Sequence, residues 1–276
     1  MPADLHIHSN LSDGTESPEE IVKLAKAGGL KTIALTDHDN VDGVGEAVKV
    51  GKKLGVEVIP GIEFTCEIPG AEVHVLGYFI EAEQPALLEQ LARIQEGRVK
   101  RIYKISEKLR KLGVELRPEE IFKFSGKKAP GRPHVARALI AQGVVGSFKE
   151  AFDRYLDFRG PAYVSHYKLT PSEAIKLIIS AKGLPVIAHP AVTGRDEIIE
   201  KLMVIGLAGI EAYYPSHGPQ QTEYYVNLAR KLGLLATGGS DYHGANSGRE
   251  IKLGDFSIPD ELADKLRNEY LRRNRS

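Results

Sequence analysis

Seven short apolar runs, separated in several places by helical patterns, restrict the fold of this chain more than any other feature. DLHIH (4–8), TIALTD (32–37), EVIPGIE (57–63), EVHVLGYF (72–79), LPVIAHP (184–190), GIEAYY (209–214) and LLATGGSD (234–241) read as strands. A clear intervening helix is SPEEIVKLAKAGG (17–29), in which Ser17 can cap, Pro18 takes the first helical position, and Gly28 and Gly29 stop the element. Strand and helix in alternation predict an α/β protein with a parallel sheet. With 276 residues and 42% hydrophobic content, the chain suits one large domain or a domain carrying an insertion.

The alternation breaks between about 83 and 160. ALLEQLARIQEGRVKRIYKISEKLRKLG places apolar residues at helical spacing with Lys and Arg between them. Residues 93–137 hold 14 Lys and Arg against 5 Asp and Glu, in a chain whose totals balance at 37 each. Two readings stand: a solvated helical face, or an electrostatic funnel for phosphates and for a nucleic-acid strand. Residues 83–159 are therefore read as a basic helical insertion between two parts, 1–82 and 160–276, of one barrel.

Charge balance over the whole chain favours neither nucleic acid nor membrane, so any steering must be local. The single cysteine, Cys66, excludes an intramolecular disulfide and a thiolate-rich zinc cluster. No apolar run approaches membrane-spanning length, and Met1 to Ala3 lead straight into a strand. A cytoplasmic protein is expected, with no membrane association and no obligate protein partner evident.

Polar residues gather at the ends of the strands. His6 and His8, two apart, share one face of the first strand. Asp13 follows closely, then Asp37 and His38, Glu63, His189, Glu211, Asp241 and His243 at or near the C-terminal ends, with His74 inside its strand as the partial exception. In α/β barrels that rim carries the active site, because the strand frame fixes residues while the loops vary. Histidine and carboxylate together suit Zn, Mn or Fe, and carboxylates can bridge two cations. A structural zinc site would be closed and usually thiolate-rich; a GxSxG elbow and a GxxxxGK[ST] loop are both missing. His166, outside these clusters, is read as a core or surface histidine.

HIHSNLSDG, ALTDHDNVDG, PGIEFT, HVLGYF, IAHP and GGSDYHG, in this order and spacing, resemble the motifs of the polymerase and histidinol phosphatase (PHP) superfamily of metal-dependent phosphoesterases. Within it the chain is similar to the stand-alone branch that includes RNase AM and nucleoside 3′,5′-bisphosphate phosphatases, and GRPHVARAL (131–139) also resembles that branch. The resemblance implies a distorted (β/α)7 barrel, TIM-like, with two to three divalent cations (Mn, Zn or Fe) at the C-terminal rim. One metal would be held by His6, His8, Glu63 and Asp241, and a second by the bridging Glu63 with His74 and His189. A third would lie among Asp13, His38 and His243. Asp13, His38, Glu63, Asp241 and His243 then form the catalytic set, while Asp37, Asp39 and Glu211 would orient ligands.

The metals would activate a water and neutralise phosphate oxygens during attack. Arg132 and His134 are the candidates for gripping a phosphate from the insertion, and His217 for contacting substrate. The expected activity is hydrolysis of nucleotide phosphate esters: a nucleoside 3′,5′-bisphosphate 3′-phosphatase, a 5′-to-3′ exoribonuclease on short 5′-phosphorylated RNA, or both. Histidinol-phosphate phosphatase and a non-catalytic, metal-stabilised module are the alternatives.

Overall fold

The strands of the central sheet are β1 (Pro2–Ile7), β2 (Thr32–Leu35), β3 (Glu57–Ile68), β4 (Ala71–Tyr78), β5 (Leu184–Ile187), β6 (Gly209–Tyr213), β7 (Leu235–Gly238) and the short β8 (Ile258–Pro259). The structure, a computed structural model, describes residues 2–125, 129–245, 247 and 250–275. Residues 126–128 of the basic segment lie outside that set. The helices are α1 (Pro18–Ala27), α2 (Val44–Leu54), α3 (Pro85–Lys111), α4 (Pro118–Ser125), α5 (Arg132–Ala141) and α6 (Phe148–Ala151) in the first part of the chain. α7 (Pro171–Ser180), α8 (Pro190–Thr193), α9 (Ile199–Met203), α10 (Pro219–Leu232) and α11 (Asp260–Arg273) follow. None of these helices is long and apolar enough to cross a membrane.

Around the sheet the order is β7-β6-β5-β4-β3-β2-β1-β8. The ring is nearly closed where the start of the chain meets its end: Ile7 bridges Tyr242 in parallel, and the His8 N–H donates to the Tyr242 carbonyl at 2.9 Å. Gly239 is required there, because a Cβ on it would fall 2.4 Å from the His6 nitrogen. The result is the TIM-like α/β barrel expected from the motifs, with β8 added antiparallel to the start of β1.

The sheet is not parallel throughout, which corrects the expectation from strand and helix alternation. β4 pairs antiparallel along its whole length with the second part of β3, from Gly61 to Ile68, and it pairs antiparallel with β5. Only Pro69 and Gly70 separate β3 from β4, too few residues for a crossover helix, so the chain must turn back as a hairpin. Gly70 makes that turn at φ +81°. This reversal explains the exceptional place of His74: on an antiparallel strand the early residues, not the late ones, reach the rim.

α1 forms for the reasons visible in its sequence. Ser17 and Glu20 make a reciprocal capping box, Pro18 sits at the first turn, and Gly28 caps the end. α3 spans 27 residues, about 40 Å at 1.5 Å per residue. Its buried stripe includes Leu91, Ile94, Arg98, Arg101, Ile105 and Leu109, so two of its arginines face inward with the apolar residues. The C-terminal half of α3 packs with α5 in a small core of its own, built around Ile102, Ile105, Leu109, Val135, Leu139 and Leu156. The barrel core is separate and gathers the inner faces of the strands and α7.

Candidate metal centre

The rim of the barrel collects all nine histidines and carboxylates singled out in the sequence as metal ligands. His6 on β1 points its Nε2 to within 3.2 Å of Glu63 Oε2, while its Nδ1 lies 2.8 Å from Glu211 Oε1. His8 Nε2 lies 3.1 Å from Asp241 Oδ1 and 3.2 Å from Glu63 Oε2. Glu63 is the hub: His38 Nδ1 approaches its Oε2 at 3.0 Å, and His74 Nδ1 and His189 Nε2 approach its Oε1 at 2.8 and 3.1 Å. His243 Nε2 stands 3.2 Å from Asp13 Oδ1, its Nδ1 turned to the Asp241 carbonyl at 2.7 Å.

Three groups bring one donor atom per residue within 4.8 Å of one another: His8, Asp13, His38 and His243; His6, His8 and Asp241; and His38, Glu63 and His74. His8 and His38 each stand in two of these groups, found among the described residues, and His189 in none of them, so the grouping overlaps the three sets implied by the resemblance without reproducing them. The donor chemistry fits divalent cations. His8 Nδ1 is buried without a hydrogen bond, and His6 Nε2, His8 Nε2, His38 Nδ1 and Glu63 Oε2, also buried, meet only as charges at 3.0–3.2 Å and form no well-aligned hydrogen bond. Such atoms are costly in a folded interior unless something supplies the missing contact.

Electrostatics point the same way. Burial disfavours charge on His8, yet Asp241 and Glu63 outweigh it and carry the imidazole up to about 9. His74, buried as well, is raised to about 10 by Glu63 and Glu72. Burial resists ionisation of Glu63 and Asp13, but the surrounding histidines hold both well below the usual carboxylate range. Without metal, the cluster is a set of imidazolium and carboxylate charges neutralising each other.

The supporting residues set the geometry. Fully buried Glu211 takes the His6 ring on Oε1 and the His189 N–H on Oε2, so one carboxylate places two ligands. Asp37 accepts from Ser9 N, Ser9 Oγ and Ser12 Oγ at 2.6–2.7 Å and so holds the loop that carries Asp13. Asp39 accepts from the Thr65 N–H and pairs with Arg98 of α3. Asp39, His189 and Asp241 all have positive φ, at 49°, 28° and 50°, the backbone strain expected where side chains are aimed rather than relaxed. Tyr214, not singled out in the sequence, donates to Asp241 Oδ2 at 2.8 Å.

Beside the ligands lies a cleft of about 210 Å³ whose lining includes Asp13, His38 and His74 together with Arg98, Arg101 and Arg132. Arg132 donates to Glu72 at 3.1 Å and lies against the rings of Phe152 and Tyr163. His134 takes a different place from the one expected. It is 1% exposed, and its Nδ1 accepts the Gly131 N–H at 3.0 Å, closing the first turn of α5. Burial lowers its pKa to about 4, so it stays a neutral cap rather than a cation for phosphate. His217 is also buried, its Nδ1 turned to the Ala212 carbonyl and its ring between Tyr214 and Tyr225, away from the cleft lining. Neither the His134 ring nor the His217 ring belongs to the lining of the cleft, contrary to the substrate contact expected of them.

Conversely, His166 lines the cleft instead of packing as an isolated core or surface histidine. Arg98 and Arg101 were hidden within a run of basic residues. The signal that could have found them is their register: both fall on the apolar stripe of α3, where a cation needs a reason to be.

Comparison with known proteins agrees with this geometry. The PHP domain family model matches residues 4–160. The 3′,5′-nucleoside bisphosphate phosphatase of Chromobacterium violaceum is 33% identical over 254 residues, covering 89% of this chain and 88% of its own length. A 5′-3′ exoribonuclease of Haemophilus influenzae is 32% identical over 270 residues, with 93% and 96% covered. A solved structure from Bifidobacterium adolescentis, described as that of a metal-dependent phosphoesterase, superposes with a TM-score of 0.89 at 28% identity, covering 99% of this chain and 96% of that one.

Proposed function

We propose, given that this chain belongs to the PHP domain family and is a metal-dependent phosphoesterase, that the esters it hydrolyses are those of nucleotides. Nucleoside 3′,5′-bisphosphates, short 5′-phosphorylated RNA, or both are the substrates. The observation that carries this reading is that Arg98, Arg101 and Arg132 line the same small cleft as Asp13, His38 and His74. Cations at the rim already answer the charge of the phosphate being cleaved. Arg98 is already paired with Asp39, but Arg101 and Arg132, the latter tied to Glu72 through one nitrogen, offer guanidinium donors to a second anion, which a nucleoside bisphosphate or an RNA 5′ end carries and a simple monoester lacks.

Two to three divalent cations, Mn, Zn or Fe, would be held by His6, His8, Asp13, His38, Glu63, His74, His189, Asp241 and His243. When bound they supply an activated water near neutral pH and charge neutralisation at the reacting phosphate. The chain itself does the placing. Glu211 and Tyr214 fix His6, His189 and Asp241; Asp37 holds the Asp13 loop; and Arg132, stacked on two aromatic rings, grips the phosphate that is not cleaved. Asp13, His38, Glu63, Asp241 and His243 stand nearest the reaction as the catalytic set. The names of the two relatives, a 3′,5′-nucleoside bisphosphate phosphatase and a 5′-3′ exoribonuclease, support a site of this kind that accepts both substrate types.

The test is a side-by-side measurement on metal-loaded protein of a nucleoside 3′,5′-bisphosphate, a 5′-phosphorylated oligoribonucleotide and histidinol phosphate. The first two are expected to exceed the third in kcat/KM by about ten- to a hundredfold, since each adds a charge-assisted contact worth about 1.5–3 kcal/mol. A preference for histidinol phosphate would overturn the reading. Asp13→Ala is expected to remove nearly all activity while the protein stays folded. Near wild-type turnover of that variant at saturating metal would take Asp13 out of the ligand set.

A further inference from the structure

Beyond Arg101 and His166 the metal cleft gives way to a second cavity of about 400 Å³, bounded by Arg93, Lys100 and Lys104 of α3 and by Tyr167. Arg101 and His166 line both cavities and form the wall they share. Size makes the second space relevant. Sites for small ligands commonly measure about 300–1,000 Å³. The metal cleft, at about 210 Å³, is too small to enclose more than the reacting end of a nucleotide chain, while the second cavity has room for another unit.

The chemistry of the shared wall points to an anion. Arg101 is 3% exposed; its Nε donates to the Val164 carbonyl at 2.6 Å, yet its Nη2 is buried without a hydrogen bond. Burial together with Arg132 and Arg98 brings this guanidinium down only to about 10, so it remains a cation at neutral pH. Both ring nitrogens of His166 are likewise buried without a hydrogen bond. Burial and the flanking Arg98 and Arg101 depress His166 to about 2, leaving a neutral imidazole able to donate and accept. Four cations line the second cavity against one carboxylate, Glu96, which is paired with Lys100; Arg93 is paired with Glu89. The Tyr167 ring is 49% exposed at the edge, its hydroxyl held by Gln90. A cationic groove with an aromatic platform is the arrangement that single-stranded nucleic acid requires.

We infer that the cavity behind Arg101 and His166 is a second subsite, which receives the next phosphodiester and base of a single-stranded oligonucleotide whose 5′ end occupies the metal cleft. The inference rests on the nucleotide reading above and adds to it the place and the residues that hold the nucleotide following the 5′ end. Arg101 from the shared wall and Lys100 and Lys104 from the rim of the second cavity meet the phosphodiester that follows the one at the metal site, and Tyr167 stacks on the base.

The experiment uses the double variant Lys100→Glu/Lys104→Glu, two surface positions on α3 whose change leaves the buried stripe intact. On metal-loaded enzyme, kcat/KM for a 5′-phosphorylated trinucleotide is expected to fall at least tenfold further than for a nucleoside 3′,5′-bisphosphate. Binding of a phosphorothioate-linked trinucleotide, followed by fluorescence anisotropy, provides a readout free of catalysis. Wild type should bind it at least tenfold tighter than the matching mononucleotide, and Lys100→Gln/Lys104→Gln should flatten the slope of log affinity against log salt by about 1.4. Equal affinity of the wild-type protein for trinucleotide and mononucleotide would overturn the subsite whatever the enzyme cleaves. So would equal losses on both substrates in the charge-reversed variant, or an unchanged salt slope. If wild type hydrolyses neither nucleotide substrate but still prefers the trinucleotide in binding, the catalytic reading falls and the subsite stands.

Discussion

Arg132 shows how a residue's neighbours decide its work. One face of its guanidinium is stacked near Phe152 and Tyr163, each 5.7 Å from its carbon, and one nitrogen is tied to Glu72. Glu72 in turn is held as a carboxylate, against its burial, by His74, Lys168 and Arg132. The arginine is thus held in place at the cleft edge with donors to spare, which lowers the entropy lost on gripping a phosphate. Arg132→Ala is expected to lower kcat/KM for a nucleoside bisphosphate ten- to a hundredfold more than for an aryl phosphate, the loss of one charge-assisted contact of about 1.5–3 kcal/mol. Arg132→Lys should recover only part of it, because an ammonium cannot reproduce two-point contact. Steady-state kinetics on the two substrates decide the matter: equal losses would move Arg132 to the reacting phosphate or to the fold.

At the scale of elements, α3 is joined to the barrel by the pair Arg98 and Asp39 beside the apolar contacts of Leu87, Leu91 and Ile94. Arg98 is 6% exposed and Asp39 fully buried, and the carboxylate also accepts from the Thr65 N–H while its own backbone N–H donates to the Glu63 carbonyl. The ion pair therefore lies one residue from His38 and one hydrogen bond from the strand that carries Glu63. Removing one partner of a buried pair leaves an uncompensated charge, which typically costs about 3–5 kcal/mol. Arg98→Ala is expected to lose stability of that order in urea unfolding and to weaken metal binding, since the His38 turn is released. Arg98→Met combined with Asp39→Asn, which removes both charges, should recover most of the stability. A single variant within about 1 kcal/mol of wild type would show that packing alone docks α3.

For the whole molecule, the metal centre links stability to pH, and the sign differs with and without metal. In the metal-free protein His8 and His74 stand at about 9 and 10, above the ordinary histidine value near 6.5. Their charged pairing is complete below about pH 6.5 and is lost as pH rises towards 9–10. Glu63 and Asp13 are depressed, so their share is present above about pH 4 and disappears in acid. Bound metal requires the imidazoles neutral, so protons are released on binding and affinity grows with pH. The melting temperature in chelator is expected to fall between pH 7 and pH 9, while the increment added by metal widens over the same range. Each site filled at a hundredfold excess over its Kd adds about 2.7 kcal/mol. Thermal melts at pH 6, 7.5 and 9, with and without metal, check this; an increment of the same size at pH 6 and pH 9 would contradict it.

The sequence by itself determined the class of fold and the membership of the ligand cluster, because both follow from short-range rules. Strand periodicity placed His6 and His8 on one face, and the recurrence of polar residues at strand ends named a common rim before any strand was paired. It was misleading where direction mattered: His74 looked exceptional until the hairpin over Pro69 and Gly70 made β4 antiparallel and brought its early residues to that rim. Only the tertiary structure decided which of many basic residues face the cleft. Lys and Arg spaced along a helix look alike in sequence, and burial singles out Arg98 and Arg101 because α3 packs its apolar stripe against the barrel and takes them along. The same packing commits the His134 ring to a helix cap and turns His217 away from the cleft, while bringing His166, more than 60 residues from Arg101 in sequence, to the same wall. Local pattern fixes what a residue faces within its own element; which elements meet, and hence which charges share a cavity, depends on long-range packing that no short window contains.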